Sequence, residues 1–240
     1  MKLSDFTALT FDCYGTLIDW ETGITTALAP LTDQVEGLTR DDILQAHAHH
    51  ESAAQAWSPA KRYSDLLAIV YKRLAEEWEV AVTWDECVAY GQSVGEWPAF
   101  SDSHDALTYL KGHYQIYVLT NTDNASFAGS NALLGVHFDG IYTAEDIGSY
   151  KPNGRNFDYM FEMLDRQGIA KAQILHTAES MFHDHGPANK HGLANCYIHR
   201  RHSKEGFGAT MDPGDLPTYD FRFTSMAELV LAHQAEREAG

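Results

Sequence analysis

Short apolar runs recur in the first residues of the chain and again over its second half, and most of them end at a polar residue. These runs predict strands at Ala8–Phe11, Ile116–Thr120, Gly140–Thr143, Ile174–Thr177, Cys196–His199 and Phe221–Phe223. Between the later runs, apolar residues recur at helical spacing, as at Phe157, Met160, Phe161 and Leu164. Strands that alternate with helices indicate an α/β fold, a Rossmann-like core built on a parallel sheet.

Residues 20–98 show a different pattern, without a convincing strand. One helix carries an apolar stripe of Tyr63, Leu67, Val70, Leu74 and Trp78. A second begins at the capping box Thr83–Glu86, and Ser58-Pro59 predicts a further helix start. We therefore expect an inserted helical cap domain over 20–98, above the first strand, and an α/β catalytic core formed by 1–19 and 99–240.

Four polar side chains that could take part in catalysis lie where the predicted strands end. Asp12, Thr120, Lys151 and Asp184 each fall at or soon after a strand end, which is where parallel sheets bind their ligands. A carboxylate held rigidly after a buried strand can act as a nucleophile. A single aspartate at such a place is more often a helix cap, but the order and placement of the whole set indicate an active site.

Composition narrows the class of protein. A chain of 240 residues can bury a full core, and a formal charge of -17 argues against nucleic acid or an anionic membrane as a partner. No run of about eighteen apolar residues predicts a membrane span, and the early strand leaves no room for a signal peptide. The three cysteines lack metal-like spacing, so we expect reduced thiols and a cytoplasmic protein.

The stretch Phe11–Asp19, with sequence FDCYGTLID, resembles the start of the haloacid dehalogenase superfamily and, within it, of the L-2-haloacid dehalogenase branch. The later motifs follow in the same order over nearly the whole chain. The resemblance implies that Asp12 is the nucleophile and that Thr16 bonds to its carboxylate. It also implies that Lys151 offsets the clustered negative charge and that Asp184 positions the hydrolytic water.

The same resemblance implies a set of substrate-binding residues. Thr120 and Asn121 are expected to hold the substrate carboxylate or the nucleophile, and Cys13 is expected to contribute only its backbone N–H. Trp20 either lines the pocket by stacking or packs at the hinge. His183 is expected to occupy the place of a substrate-facing aromatic residue.

Tyr14 sets the expected chemistry apart from that of phosphatases in the superfamily, which carry a second aspartate at this position. A tyrosine is too weak an acid near neutral pH to protonate an alkoxide leaving group readily. We therefore expect no magnesium or other metal and no cofactor. A phosphatase and a non-catalytic binding protein remain the alternative functions.

The leaving group is less well defined because the branch usually has a halide-binding arginine in its cap, near the position of Ala46 here. On the same helix, His47 and His50 either reach the substrate or are hydrogen-bonded within the cap. Related enzymes open azetidine-2-carboxylate, and a group such as Glu51 or Trp20 suits a departing ring amine. We expect hydrolysis at the α-carbon of a small 2-substituted carboxylic acid, with release of a ring amine or of a halide such as fluoride. A homodimer, as relatives of this branch often form, is a further expectation.

Overall fold

The computed structural model describes residues 1–239 and contains a parallel sheet surrounded by helices. The strands are β1 (Ala8–Phe11), β2 (Gln115–Thr120), β3 (Gly140–Thr143), β4 (Ile174–Ala178), β5 (Ala194–Ile198) and β6 (Phe221–Phe223). The helices are α1 (Trp20–Thr32), α2 (Arg40–Trp57), α3 (Tyr63–Glu77), α4 (Trp84–Gln92), α5 (Ser103–Lys111), α6 (Asn124–Leu134), α7 (Ala144–Ile147), α8 (Gly154–Asp165), α9 (Gly186–His191) and α10 (Met226–Ala239).

The strand order is β3-β2-β1-β4-β5-β6, and every neighbouring pair is parallel. All four residues of β1 are buried, as expected for a central strand that helices cover on both faces. The predicted α/β class and Rossmann-like sheet are confirmed, with β5 beginning two residues earlier and ending one residue earlier than expected. The sheet places the carboxyl ends of β2, β1 and β4 side by side, at β1, where the order in which strands are added to the sheet reverses.

Helices α1 to α4 lie between β1 and β2 in the chain; we call residues 20–98 the helical insertion. The Thr83–Glu86 capping box is present, with the Thr83 side chain accepting from the backbone N–H of Glu86. The predicted stripe on α3 is buried except at Trp78, which is partly exposed. The predicted helix start at Ser58-Pro59 was wrong: Ser58 donates its N–H to Ala54 and ends α2, and the proline follows a helix end, which is also common.

The two segments that connect the insertion to the sheet run side by side. Asp19 donates its backbone N–H to Pro98 O at 2.8 Å, and Phe100 donates to Leu17 O at 3.0 Å. One hydrophobic cluster contains insertion residues, among them Trp20 and Trp97, together with residues of the sheet layer. The division into a core and a cap at these connections is our proposal. Within residues 1–239, no helix combines the length and the apolar character that a membrane crossing requires.

Helices α3 and α4 are in such close contact that we expect a side chain added between them to lower the stability of the fold. A Cβ atom at Gly91 would lie 2.0 Å from the backbone oxygen of Ser64, so Gly91→Ala has to push the two helices apart. We expect the free energy of unfolding, measured by urea denaturation, to fall by about 1–3 kcal/mol. Gly154→Ala is the matched control, because its new Cβ meets only the tip of the His191 ring at 3.4 Å. Equal stabilities for the two variants would contradict this packing.

Candidate active site

Lys151 lies at the centre of a charged cluster under the carboxyl ends of β1, β2 and β4. Its Nζ donates to Asp12 Oδ1 at 2.9 Å, to Asp184 Oδ1 at 2.7 Å and to the backbone oxygen of Leu119 at 3.0 Å. These three bonds use every N–H of the ammonium group, and the side chain is buried. Burial alone would lower the pKa of Lys151, but the carboxylates of Asp12 and Asp184 outweigh it and raise the pKa.

Asp12 follows β1 directly, and both of its oxygens are bonded. Oδ2 accepts a hydrogen bond from Thr16 Oγ1 at 2.7 Å, while Thr16 Oγ1 in turn accepts from the backbone N–H of Glu179 at 2.9 Å. Burial, together with repulsion from Asp184, raises the pKa of Asp12 above its usual value in spite of Lys151. The carboxylate is therefore rigidly placed and largely stripped of water.

Asp184 lies in a five-residue π-helical turn, Met181–His185, that follows β4. Its Oδ1 accepts from Lys151 and also bonds to His176 Nε2 at 2.9 Å. Its Oδ2 is buried and has no partner within residues 1–239. Although burial raises its pKa, the Lys151 ammonium and His176 together hold the pKa of Asp184 below its usual range, so this residue is a carboxylate with one unpaired oxygen.

His176 is a supporting residue that the sequence analysis missed. It pairs with Thr10 across β1 and β4, and its Nδ1 lies 2.8 Å from Thr10 Oγ1. Because the Asp184 carboxylate oxygen only accepts, Nε2 carries a proton and donates it to this bond. A histidine within an otherwise apolar strand was the available signal, since a buried polar side chain needs partners.

Two residues predicted to contact the substrate are occupied elsewhere. Asn121 donates Nδ2–H to the Lys151 carbonyl at 2.9 Å and accepts from the Lys151 N–H at 2.6 Å, so its amide fixes the lysine backbone, and the residue also contributes to the cavity wall. Thr120 is buried beside Thr122, with their hydroxyl oxygens 3.1 Å apart. Thr122, which the sequence analysis overlooked, is the one that reaches the cavity.

A cavity of about 20 Å³ opens above Lys151, enough for about one water molecule. Both the sheet and the insertion contribute to its wall, which consists of Asp12, Tyr14, Trp20, Glu51, Tyr63, Asn121, Thr122, Lys151, Ser180, His183 and Asp184. The predicted residues Asp12, Tyr14, Trp20, Asn121, Lys151, His183 and Asp184 thus converge on one space. Thr16 and Cys13 lie beneath it, and the buried Cys13 carbonyl accepts the N–H groups of Leu17 and Ile18.

Tyr14 and His183, two polar residues of this wall, are both uncharged near neutral pH. The Tyr14 hydroxyl bonds to Ser130 Oγ at 2.7 Å, and burial raises its pKa well above the usual value. Burial lowers the pKa of His183 to about 4, so its ring is neutral near pH 7. Within residues 1–239, no group of histidine, cysteine, aspartate or glutamate side chains has an arrangement that could hold a metal ion.

The insertion presents a carboxyl group where histidine was expected. His47 is fully buried inside the insertion, does not line the cavity, and has no hydrogen-bond partner for either ring nitrogen within residues 1–239. One helical turn later, Glu51 reaches the cavity and accepts hydrogen bonds from Tyr63 at 2.8 Å and Gln55 at 3.0 Å. Helical spacing put both residues near the inward side, but only the packing of α2 on α3 decided which one faces the sheet.

We expect the fold to lose stability when the positive charge of Lys151 is removed. Lys151→Met leaves Asp12 and Asp184 buried without a counter-charge, so we expect the free energy of unfolding at neutral pH to fall by about 3–5 kcal/mol. The carboxyl pKa values in the folded variant then lie above their unfolded values, so part of the loss returns as the pH falls and the groups protonate. Urea denaturation at neutral and mildly acidic pH measures both effects.

Lys72→Met is the matched control because Lys72 makes an exposed ion pair with Glu76, at 3.6 Å, and such pairs contribute little, about 1 kcal/mol at most. A Lys151 variant as stable as this control, or one that gains nothing on acidification, would contradict the electrostatic role.

Comparisons with known proteins identify the family and agree with the fold. A family model for haloacid dehalogenase-like hydrolases matches residues 6–177, whereas no curated protein sequence matches the chain. The L-2-haloacid dehalogenase from Xanthobacter autotrophicus shares its fold at 16% identity, over 96% of this chain and 99% of that chain, with a TM-score of 0.77. A defluorinating L-2-haloacid dehalogenase is 19% identical over 97% and 98% of the two chains, with a TM-score of 0.77.

A further similar structure is the HAD-hydrolase YfnB from Bacillus subtilis, solved with bound magnesium. It is 19% identical over 95% of this chain and 99% of that chain, with a TM-score of 0.73. At these identities the structural likeness establishes the fold, and the family model, which spans more than half of the chain, establishes the family. The chain belongs to the haloacid dehalogenase-like hydrolases.

Proposed function

We propose that this protein hydrolyses a small 2-substituted carboxylic acid at its α-carbon through a covalent ester on Asp12. The observation that carries the proposal is the buried Lys151 ammonium, which joins Asp12 and Asp184 beneath one small cavity. One carboxylate is thereby held ready to attack and a second to direct water. The small size of the cavity favours a compact substrate, admitted when the insertion moves away from the sheet.

In the first step, Asp12 attacks the α-carbon and displaces the 2-substituent. Burial supports this step because it removes the water that would otherwise screen the carboxylate. The substrate brings its own negative charge close to Asp12, so hydrogen-bond donors must stabilise the approach. The hydroxyls of Thr122 and Ser180 and the backbone N–H groups after Asp12 are the donors that we assign to this task, and Lys151 contributes its positive charge.

In the second step, water attacks the carbonyl carbon of the aspartyl ester and regenerates Asp12. The water binds to Oδ2 of Asp184, the oxygen that lacks a protein partner, while Lys151 and His176 hold the other oxygen. The product is a 2-hydroxy acid with inverted configuration, because the only bond change at the α-carbon is the first displacement.

The cavity wall favours some leaving groups over others. Lys151 is its only lysine or arginine, and its N–H groups are already used by Asp12, Asp184 and Leu119. A ring amine, as in azetidine-2-carboxylate, or fluoride therefore suits this wall better than a bulky halide that needs a dedicated cation. One structural relative is named as a defluorinating enzyme. The Tyr14 hydroxyl, bonded to Ser130 and with a raised pKa, is unsuited to the acid role that a phosphatase would need.

Replacement of the nucleophile tests the first step. Asp12→Asn is nearly isosteric, so we expect it to fold but to release no halide or 2-hydroxy acid from a panel of 2-halo acids and azetidine-2-carboxylate. A single turnover of the unaltered protein in heavy-oxygen water should place the label in the Asp12 carboxylate, detected by peptide mass spectrometry. Unchanged turnover by Asp12→Asn, or magnesium-dependent phosphatase activity that a chelator abolishes, would overturn the proposal.

The second step is tested by trapping its intermediate. Asp184→Asn removes the carboxylate that binds the water, so we expect the ester on Asp12 to accumulate and the intact mass to rise by the mass of the carboxyalkyl group transferred from the substrate. Asp12→Asn under the same conditions should gain no mass. An adduct on any residue other than Asp12 would contradict the mechanism.

A further inference from the structure

We propose that Glu51 donates a proton to the leaving group, and that the substrates are therefore acids whose leaving atom is strongly basic and carries no proton of its own: an oxygen or fluoride. This inference rests on the proposed function and specifies its substrate class. Three residues of the insertion line the cavity above Lys151, namely Trp20, Glu51 and Tyr63. Glu51 is the only carboxylic acid among them.

Hydrogen bonds orient the Glu51 carboxyl group. Oε1 accepts from Tyr63 Oη at 2.8 Å and from Gln55 Nε2 at 3.0 Å, so both donors are on the same oxygen. Oε2 has His47 Nδ1 at 3.7 Å, which is too long for a hydrogen bond. A proton on this carboxyl group therefore belongs on Oε2, the oxygen that remains free to face a ligand.

The titratable groups packed around Glu51 are uncharged near neutral pH. His47 is on the same helix, Tyr63 is on α3, Tyr90 is on α4, and Tyr150 comes from the sheet side. Burial lowers the pKa of His47 to about 3 and raises the tyrosine pKa values. With no cation among these four neighbours, burial raises the pKa of Glu51 to about 7, partly opposed by the Tyr63 hydrogen bond.

The groups that face Glu51 across the cavity are poorer proton donors. Asp184 is ionised, His183 is neutral with a pKa of about 4, and the Tyr14 hydroxyl is bonded to Ser130. Lys151 holds three acceptors with its three N–H groups, and loss of a proton would leave two buried carboxylates unpaired. Asp12 must itself be ionised to attack. Glu51 is thus the lining group that can hold a proton near neutral pH and release it.

The displacement conserves atoms and electrons. A bond forms between an Asp12 carboxylate oxygen and the α-carbon, and the bond from the α-carbon to the leaving atom breaks, with its electron pair staying on that atom. The Glu51 proton transfers to this pair, so the leaving group departs in its protonated form. Hydrolysis of the ester by one water molecule later releases a proton, and Glu51 recovers its own from solvent.

The benefit of this proton depends on the leaving group. Chloride and bromide are very weak bases and gain almost nothing from a carboxylic acid, whereas alkoxide and fluoride leaving groups develop charge that a proton neutralises. A ring amine that binds as its ammonium leaves as a neutral amine and needs no further proton. General acids contribute about 10²–10⁴-fold to such steps. The placement of Glu51, in a family whose usual halide-binding arginine is absent from this wall, thus selects basic leaving groups.

The test compares Glu51→Gln with the unaltered protein on 2-fluoropropionate, 2-bromopropionate and azetidine-2-carboxylate. We expect kcat/KM to fall by about 100-fold or more for the fluoride, and only a few fold for the bromide and for the ring amine, which brings its own proton. The retained bromide reaction also shows that the variant folds. For the unaltered protein on 2-fluoropropionate, activity should fall as the pH rises through the pKa of Glu51, and this alkaline limb should be absent in Glu51→Gln.

Tyr63→Phe adds a readout that a purely structural role would not change. It removes a donor that stabilises the Glu51 carboxylate, so the alkaline limb should shift to higher pH. Tyr71→Phe on the same helix is the matched control and should leave the limb in place, because its hydroxyl makes no hydrogen bond with Glu51 within residues 1–239.

The possible outcomes distinguish a failure of the Glu51 role from a failure of the Asp12 mechanism. An equal loss on all three substrates, an unchanged alkaline limb, or an unaltered protein that acts on the bromide alone would overturn the role of Glu51 and leave the Asp12 mechanism standing. Failure of the unaltered protein on all three compounds, or turnover that survives Asp12→Asn, would overturn both.

Discussion

The buried ammonium group of Lys151 is the interaction on which the site depends. An unpaired charge at this depth would be strongly destabilising, and here it is paired because β1, β2 and the segment after β4 each bring an acceptor, from Asp12, Leu119 and Asp184. The strand order of the sheet is therefore also an electrostatic requirement. Asn121 completes the arrangement by bonding both backbone groups of the lysine.

Burial has opposite chemical consequences on the two sides of the cavity. On the sheet side, Lys151 keeps the carboxylate of Asp184 ionised against the cost of desolvation. On the insertion side, Glu51 has hydrogen-bond donors but no cation, so burial prevails and its pKa rises to about 7. The same physical effect thus yields a base and an acid within one small space, and the difference is the position of a single ammonium group.

Much of the fold and part of the site were predictable because their signals are local. Apolar runs such as Ala8–Phe11 and the stripe on α3 reflect burial patterns that a strand or helix imposes on neighbouring residues. The FDCYGTLID stretch and the order of the later motifs then brought Asp12, Lys151 and Asp184 together. The motifs did not determine side-chain direction: His47 is buried, Thr120 faces Thr122, and the Asn121 amide bonds to Lys151. These directions depend on contacts with residues far away in the chain.

Periodicity and chain order are enough to predict the sheet, the position of the helical insertion and the residue types at the strand ends. They do not predict that His176 bonds to Asp184, that Thr122 and not Thr120 reaches the cavity, or that Glu51 lines the same cavity as the charged cluster; these follow from packing in three dimensions. Hydrogen bonding and desolvation act over a few ångströms in space, irrespective of separation along the chain. For that reason the protonation of each group in this site is a property of the packed molecule and not of any motif.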